Sequence, residues 1–133
     1  MKDPKLLMIQ QNSLYFYQTV AYDTKYSGPA MAIEAGMELG QVLGDKDILF
    51  MGSHGITSVA STISQAFNLL YYLERAAMIQ VLATAMQKEL KVLPDSQCGP
   101  IASAMRHDLQ SNSDVHFYAM YRLLRKSQPD FEL

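Results

Sequence analysis

The sequence predicts an α/β domain, and three stretches carry that prediction. Ile48 to Met51 places four large apolar residues in a row behind the polar "GDKD", the mark of a strand buried on both faces. From Thr62 a helical apolar pattern runs through "ISQAFNLLYYLERAAMIQVLATAMQKEL", far too long for a strand. Leu14 to Tyr22, "LYFYQTVAY", combines aromatic and β-branched side chains over a strand's length. At 133 residues the chain is one domain's length, and residues 1–133 read as a single unit without an internal repeat.

The elements follow in order. The Leu14–Tyr22 strand leads into the "KYSGP" turn. Pro29 suits the start of a helix through "AMAIEAGMELGQVLG", with Glu34, Glu38, Gln41 and Asp45 on one face and Ala32, Ile33, Met37 and Leu39 on the other. Gly44 is its terminator. Behind the buried strand, "ITSVA" either continues it or lies beside it across "SHG". Ser61 or Thr62 caps the long helix, which is expected to end near Lys88 to Lys91. "KVLPDSQCGP" reads as a connection, Ile101 to Leu109 as a short helix, and Ser113 as the N-cap of a last helix that buries Phe117, Met120, Tyr121 and Leu124.

The long helix shows a narrow polar stripe, Ser64, Asn68, Tyr71 and Arg75, beside a broad apolar arc of Phe67, Leu70, Leu73, Ala77, Met78 and Val81. So wide an arc needs packing on more than one side. The expectation is therefore a subunit interface or a part of the domain supplied from outside this chain.

Composition narrows the function classes. The formal net charge is −2 and the Lys and Arg residues are scattered, the densest run being "YRLLRK". That run suits the outer face of a terminal helix, which argues against nucleic acid as a partner. The single cysteine, Cys98, has no internal disulfide mate and fits a reducing, cytoplasmic setting. "MKDPKLLMIQQNSLYF" lacks a secretory pattern, and Phe67 to Met86 is too polar to span a bilayer, so no membrane role is expected.

His54 leads the candidate site residues. A glycine follows it, so the backbone can turn and leave the imidazole at a strand end, where α/β sheets form pockets. Imidazole is a common metal ligand and titrates near neutrality, although a hydrogen-bonded turn histidine has the same sequence appearance. His107 and His116 read as surface helix residues, and Cys98 as an inert loop thiol. Glu74 lines up with Phe67, Leu70, Ala77 and Val81, so an inward carboxylate paired at an interface is expected. No Gly-rich phosphate loop follows a strand. No catalytic or cofactor-binding residue is assigned.

"FMGSHGITSVASTISQAFNLLYYLERAAMIQVLATA", with "LLMIQQNSLYFYQTVAYDTKYSGPAM" before it and "HFYAMYRLLRKSQPDFEL" after it, resembles the C-terminal half of class II aldolase/adducin family domains. There a buried strand ends in Asn-His-Gly before a long helix. The resemblance implies a partial three-layer α/β/α domain around a largely antiparallel central sheet. It also implies oligomers and a divalent metal, typically zinc, held by three histidines for aldol carbon–carbon cleavage. His54 matches the third metal histidine. The His-x-His pair and the acidic proton carrier lie upstream in that pattern, Ser53 stands for the usual Asn, and Ala60 for a Gly.

Two expectations follow from the resemblance. One is a metal-dependent lyase acting on small hydroxy or keto compounds or sugar phosphates, N-terminally truncated and dependent on a homo-oligomer or a complementary N-terminal half. The other is a non-catalytic adducin-like interaction or assembly domain in which His54 is structural.

Overall fold

The computed structural model describes residues 5–25 and 33–132. The elements in order are α1 (Gln11–Leu14), β1 (Val20–Asp23), α2 (Ile33–Leu43), β2 (Ile48–Met51), β3 (Gly55–Ser58), α3 (Ile63–Ala85), α4 (Asp95–His107), α5 (Leu109–Ser127) and a closing 3₁₀ turn (Pro129–Glu132). The α/β class holds. The sheet has order β1-β2-β3 and is mixed: β1 pairs parallel with β2, and β2 pairs antiparallel with β3. The parallel half follows from α2, which returns the chain in a βαβ crossover. The expected antiparallel character is thus confined to the β2–β3 hairpin among the described residues.

β2 is the middle strand, as its unbroken apolar run requires. Ile48 is fully buried and Leu49 nearly so. Because side chains alternate along a strand, Ile48 and Phe50 face one side, where they join Leu6, Phe16, Leu69, Leu73 and Ala76 in the core beneath α3. Leu49 faces the other side, and α2 packs against β1 and β2 there. The "ITSVA" run is the hairpin neighbour and not a continuation of β2.

Several expectations are corrected. Leu14 to Gln18 is not strand: Gln10 and Ser13 form a capping box that bends the chain into a helical turn, and Gln18 closes it at φ 63°. Such local side-chain-to-backbone bonds outcompete extended pairing. The strand is only Val20–Asp23. α2 ends at Gly44 with φ 57°, as expected, but its sheet-facing stripe is Ala35, Leu39 and Leu43, leaving Ile33 and Met37 exposed. The proposed Pro29 start and Ala32 lie outside the described residues. α3 takes Thr62 as its N-cap, the hydroxyl accepting from the Gln65 N–H, and ends at Ala85, short of the expected lysines.

The largest miss is α4. Pro94, Gly99 and Pro100 suggest a connection, yet the helix begins at Asp95 and carries Pro100 inside. Cys98 and Ala102 are both fully buried, and that tertiary burial overrides weak local propensity. Cys98 is therefore a core residue on a helix, with its Sγ 3.5 Å from the Leu93 carbonyl oxygen. Ser113 is no cap either. It is buried inside α5, and its hydroxyl donates to the Leu109 carbonyl at 2.5 Å.

Candidate functional site

The site candidate lies where the parallel strands β1 and β2 end. Among open sheets this carboxyl edge is the usual place for a ligand crevice, and here a cleft of about 450 Å³ is lined by Asp23 and Thr24 from β1 and its exit, Phe50 to Ser53 from β2 and its turn, Leu6, and Ala77, Gln80 and Val81 of α3. His54 is the next residue after the lining Ser53.

The turn that presents His54 is fixed by its backbone. The Gly52 N–H donates to the Asp23 carbonyl at 2.7 Å, and the His54 N–H donates back to the Met51 carbonyl at 3.2 Å. Gly52 sits so close to β1 that a Cβ there would stand 3.3 Å from both the Asp23 and the Thr24 carbonyl oxygens. The left-handed residue of the turn is Ser53, at φ 56°. Gly55 has no positive φ and opens β3 opposite Met51, so the glycine after His54 is not the residue that makes the turn. The His54 side chain is exposed.

One wall of the cleft is held by an arrangement that sequence reading missed. Gln80 is buried on α3 and clamps the extended N-terminal segment: its Nε2 donates to the Lys5 carbonyl at 2.9 Å and its Oε1 accepts from the Leu7 N–H at 2.7 Å. The Leu6 N–H donates to the Tyr22 phenol oxygen at 2.8 Å. A side-chain amide thus substitutes for a neighbouring strand. The only sequence signal was a glutamine within an apolar helix, which by itself does not name a partner 75 residues away.

The other candidates fall elsewhere. His107 is exposed at the end of α4, beside a shallow groove with Tyr17, Gln18 and Arg106, where the Arg106 guanidinium donates to the Tyr17 carbonyl at 3.0 Å. His116 is not a free surface residue: it is half-buried against Tyr71, Phe67 and Tyr72, with ring centroids 4.5, 5.4 and 5.8 Å away. Its Nδ1 lies 2.8 Å from Oδ1 of the buried Asn68. Burial, and then the nearby Arg75 charge, hold its pKa below the usual histidine value. Glu74 is exposed on α3, contrary to the inward placement expected. Ser64 and Asn68 of the narrow polar stripe are buried, and the Ser64 hydroxyl donates to Asp114 at 2.5 Å.

A protein zinc site ordinarily uses at least three side-chain ligands. No group of three His, Cys, Asp or Glu residues comes together among the described residues. His54 alone does not fit a complete metal centre, and the residues described here do not build one. No helix among them is long and apolar enough to cross a membrane.

Comparison with known proteins supplies the context for this incomplete site. Residues 1–81 match the family model described as class II aldolase and adducin N-terminal domain. A Pseudomonas aeruginosa protein of the aldolase class 2 type is 27% identical over 130 residues, covering 95% of this chain and 50% of that protein. The crystal structure of an aldolase II superfamily protein from Pseudomonas syringae superposes with a TM-score of 0.83 at 28% identity, over 94% of this chain and 50% of the other. L-fuculose 1-phosphate aldolase from Glaciozyma antarctica shares the fold, with a TM-score of 0.75 at 21% identity, over 92% of this chain and 46% of that one. The chain spans about half the length of these relatives. A family model matched over more than half of the chain, together with the shared βαβ-hairpin-helix architecture, shows that the protein belongs to the class II aldolase and adducin N-terminal domain family.

Proposed function

We propose that this chain contributes His54 as one ligand of a divalent metal centre for aldol-type carbon–carbon lyase chemistry, zinc being the metal the family pattern implies. The observation that carries the reading is the placement of His54. An exposed imidazole follows a backbone-fixed turn at the carboxyl edge of β1 and β2, beside an open cleft. Such a group is positioned but not consumed by internal packing. The remaining ligands and the proton carrier come from polypeptide outside the 133 residues, in keeping with relatives of twice the length.

Within this chain the residues have distinct tasks. Gly52 lets the turn approach β1 closely, Ser53 turns the backbone, and Gln80 holds the Leu6 wall of the cleft. The substrate class is a small hydroxy or keto compound or a sugar phosphate, and the setting is cytoplasmic.

The test is complementation. The full chain is mixed with the separately produced half of the Pseudomonas syringae relative that it does not match, with zinc present, and aldol cleavage is followed on hydroxy acids, keto acids and sugar phosphates. Cleavage is expected only with both parts, and His54→Ala should reduce it by a hundredfold or more. Equal cleavage by His54→Ala would sink the assignment.

A second reading, an adducin-like assembly domain without catalysis, is favoured by the exposed apolar face of α3. There His54→Ala would leave binding to the partner unchanged, and metal-dependent cleavage lost in that variant would count against it.

A further inference from the structure

Helix α4 has two faces with different uses. Cys98 and Ala102 are its buried side. Gly99, Ser103, Arg106 and His107 follow one another at helical spacings of four, three and one, and they form one wall of a groove of about 490 Å³. The other wall is the turn before β1, made by Tyr17 and by Gln18 with its left-handed backbone at φ 63°. Gly99 helps to keep the gap open, since a Cβ there would come within 3.9 Å of the Tyr17 ring. A groove of this size holds a small organic ligand.

The chemistry of the lining is one-sided. The Tyr17 phenol, Gln18 amide, Ser103 hydroxyl, Arg106 guanidinium and His107 imidazole can all donate hydrogen bonds, and no Asp or Glu lines the groove. Arg106 is half-buried and held by backbone alone. Its Nε donates to the Ala102 carbonyl at 3.3 Å, and one Nη donates to the Tyr17 carbonyl at 3.0 Å. The other N–H groups of the guanidinium are left for a ligand. No carboxylate forms an ion pair with Arg106 among the described residues. Two acids act on this region without lining it: the Asp47 charge reaches Arg106, and the Asp95 charge reaches the Tyr17 phenol. A guanidinium half-withdrawn from water, aimed by carbonyls and lacking a carboxylate mate, is a ready fork for two oxygens of an anion. Ser103 and His107 stand exposed beside it.

We propose that this groove binds a small organic oxyanion, its phosphate or carboxylate taken by the Arg106 fork and flanked by Ser103 and His107, with the Tyr17 ring beside its organic part. The site is separate from the cleft next to His54. Tyr17 and Gln18 precede β1 and Asp23 ends it, so the length of that strand, about 13 Å, lies between the two. No residue lines both. Anion binding at Arg106 requires neither His54 nor a metal.

Proton–nitrogen NMR of the full, metal-free chain tests the site, with phenyl phosphate and benzoate each titrated against sodium chloride at matched ionic strength. Both should shift Gln18, Ser103, the Arg106 Nε–H and His107 with dissociation constants in the millimolar range, and should leave His54 and the cleft residues in place. The tighter of the two identifies which oxyanion the groove prefers.

Arg106 also ties α4 to the Tyr17–Gln18 turn, so the decisive variant lies elsewhere. Ser103→Asp places a carboxylate three residues before Arg106, within its reach along the helix. It should weaken both ligands tenfold or more, with helical circular dichroism unchanged because Ser103 is exposed. Ser103→Asn, which adds no charge, should bind within about twofold of the parent. Shifts reproduced by chloride, shifts centred on the cleft or on the Arg122 to Lys126 surface, or binding unmoved by Ser103→Asp overturn the proposal. So does the absence of any shift up to about 50 mM ligand.

Discussion

Two histidines in this chain are held in opposite ways. His54 sits on a hairpin turn whose backbone is pinned by two hydrogen bonds, to Asp23 and within the turn to Met51, while its imidazole is exposed. His116 sits between α3 and α5, ringed by Tyr71, Phe67 and Tyr72 and bonded to Asn68. In the first, local backbone bonding fixes a side chain that the fold does not use. In the second, the fold uses the side chain itself. A reading by sequence motif alone favours the first and overlooks the second, because a turn is a local signal and a packing site is not.

The largest expected effect comes from the joint between these regions. Leu73 is fully buried on α3 beside Ile48 of β2 and Phe16. Leu73→Ala removes methyl groups from a core that is shared by the hairpin side and the helix side, and should cost about 3 kcal/mol. Urea unfolding followed by circular dichroism and by tyrosine fluorescence should lose stability equally with both probes. A loss seen by one probe alone would mean that the two regions fold separately.

Asn68 isolates the His116 side. Asn68→Ala leaves the Nδ1 of a half-buried imidazole without its partner, and an orphaned polar group costs about 1–3 kcal/mol. The same assay should show that loss, whereas His54→Ala should leave stability unchanged. If both alanine variants behave alike, the distinction between the two histidines fails.

The pH dependence sharpens it further. Burial and Arg75 lower the His116 pKa in the folded chain, so the unfolded chain binds a proton first as the pH falls. The stability held by neutral His116 is therefore complete above about pH 6.5, the ordinary histidine value, and is lost as the pH falls through the folded pKa. The groups near it are Arg75 and Tyr71 on α3, with Asp114 close by along α5. Asp114, bonded to Ser64 and Gln110, is held below the carboxylate range and stays ionised in this window. Denaturation midpoints between pH 7.5 and 5.5 should fall in the parent chain and in His54→Ala, and should flatten in His116→Gln.

The same contrast explains what was legible in the sequence. β2, the Gly44 stop and the Thr62 cap are written in adjacent residues, and each appears where the pattern places it. The α3 stripe was read with its faces misassigned. Spacing shows which residues share a side, but the partner packed on that side decides which way it faces, and α5 draws Ser64 and Asn68 inward. α4 was hidden for a related reason, since Gly99 and Pro100 speak against a helix locally while the burial of Cys98 depends on distant elements. At the site, His54 and its strand-end position were readable. The Gln80 clamp was not, because its partners are at the far end of the chain.

The smallest expected effect lies in the turn itself. Ser53 occupies the left-handed region at φ 56°, where an L-residue is strained by roughly 1–2 kcal/mol. Glycine relieves that strain but gives up roughly 0.5–1 kcal/mol through its freer unfolded state, so Ser53→Gly should gain about 0.5 kcal/mol, a Tm rise of about 2 °C. Ser53→Asn, the residue of the family pattern, tolerates the left-handed region without the glycine entropy and should gain at least as much. Ser53→Val adds a branched Cβ at positive φ and should lose about 1 kcal/mol. Thermal unfolding of the three variants orders them. Should Ser53→Val match Ser53→Gly, the turn would not be determined by its own backbone, and the presentation of His54 would have to come from elsewhere.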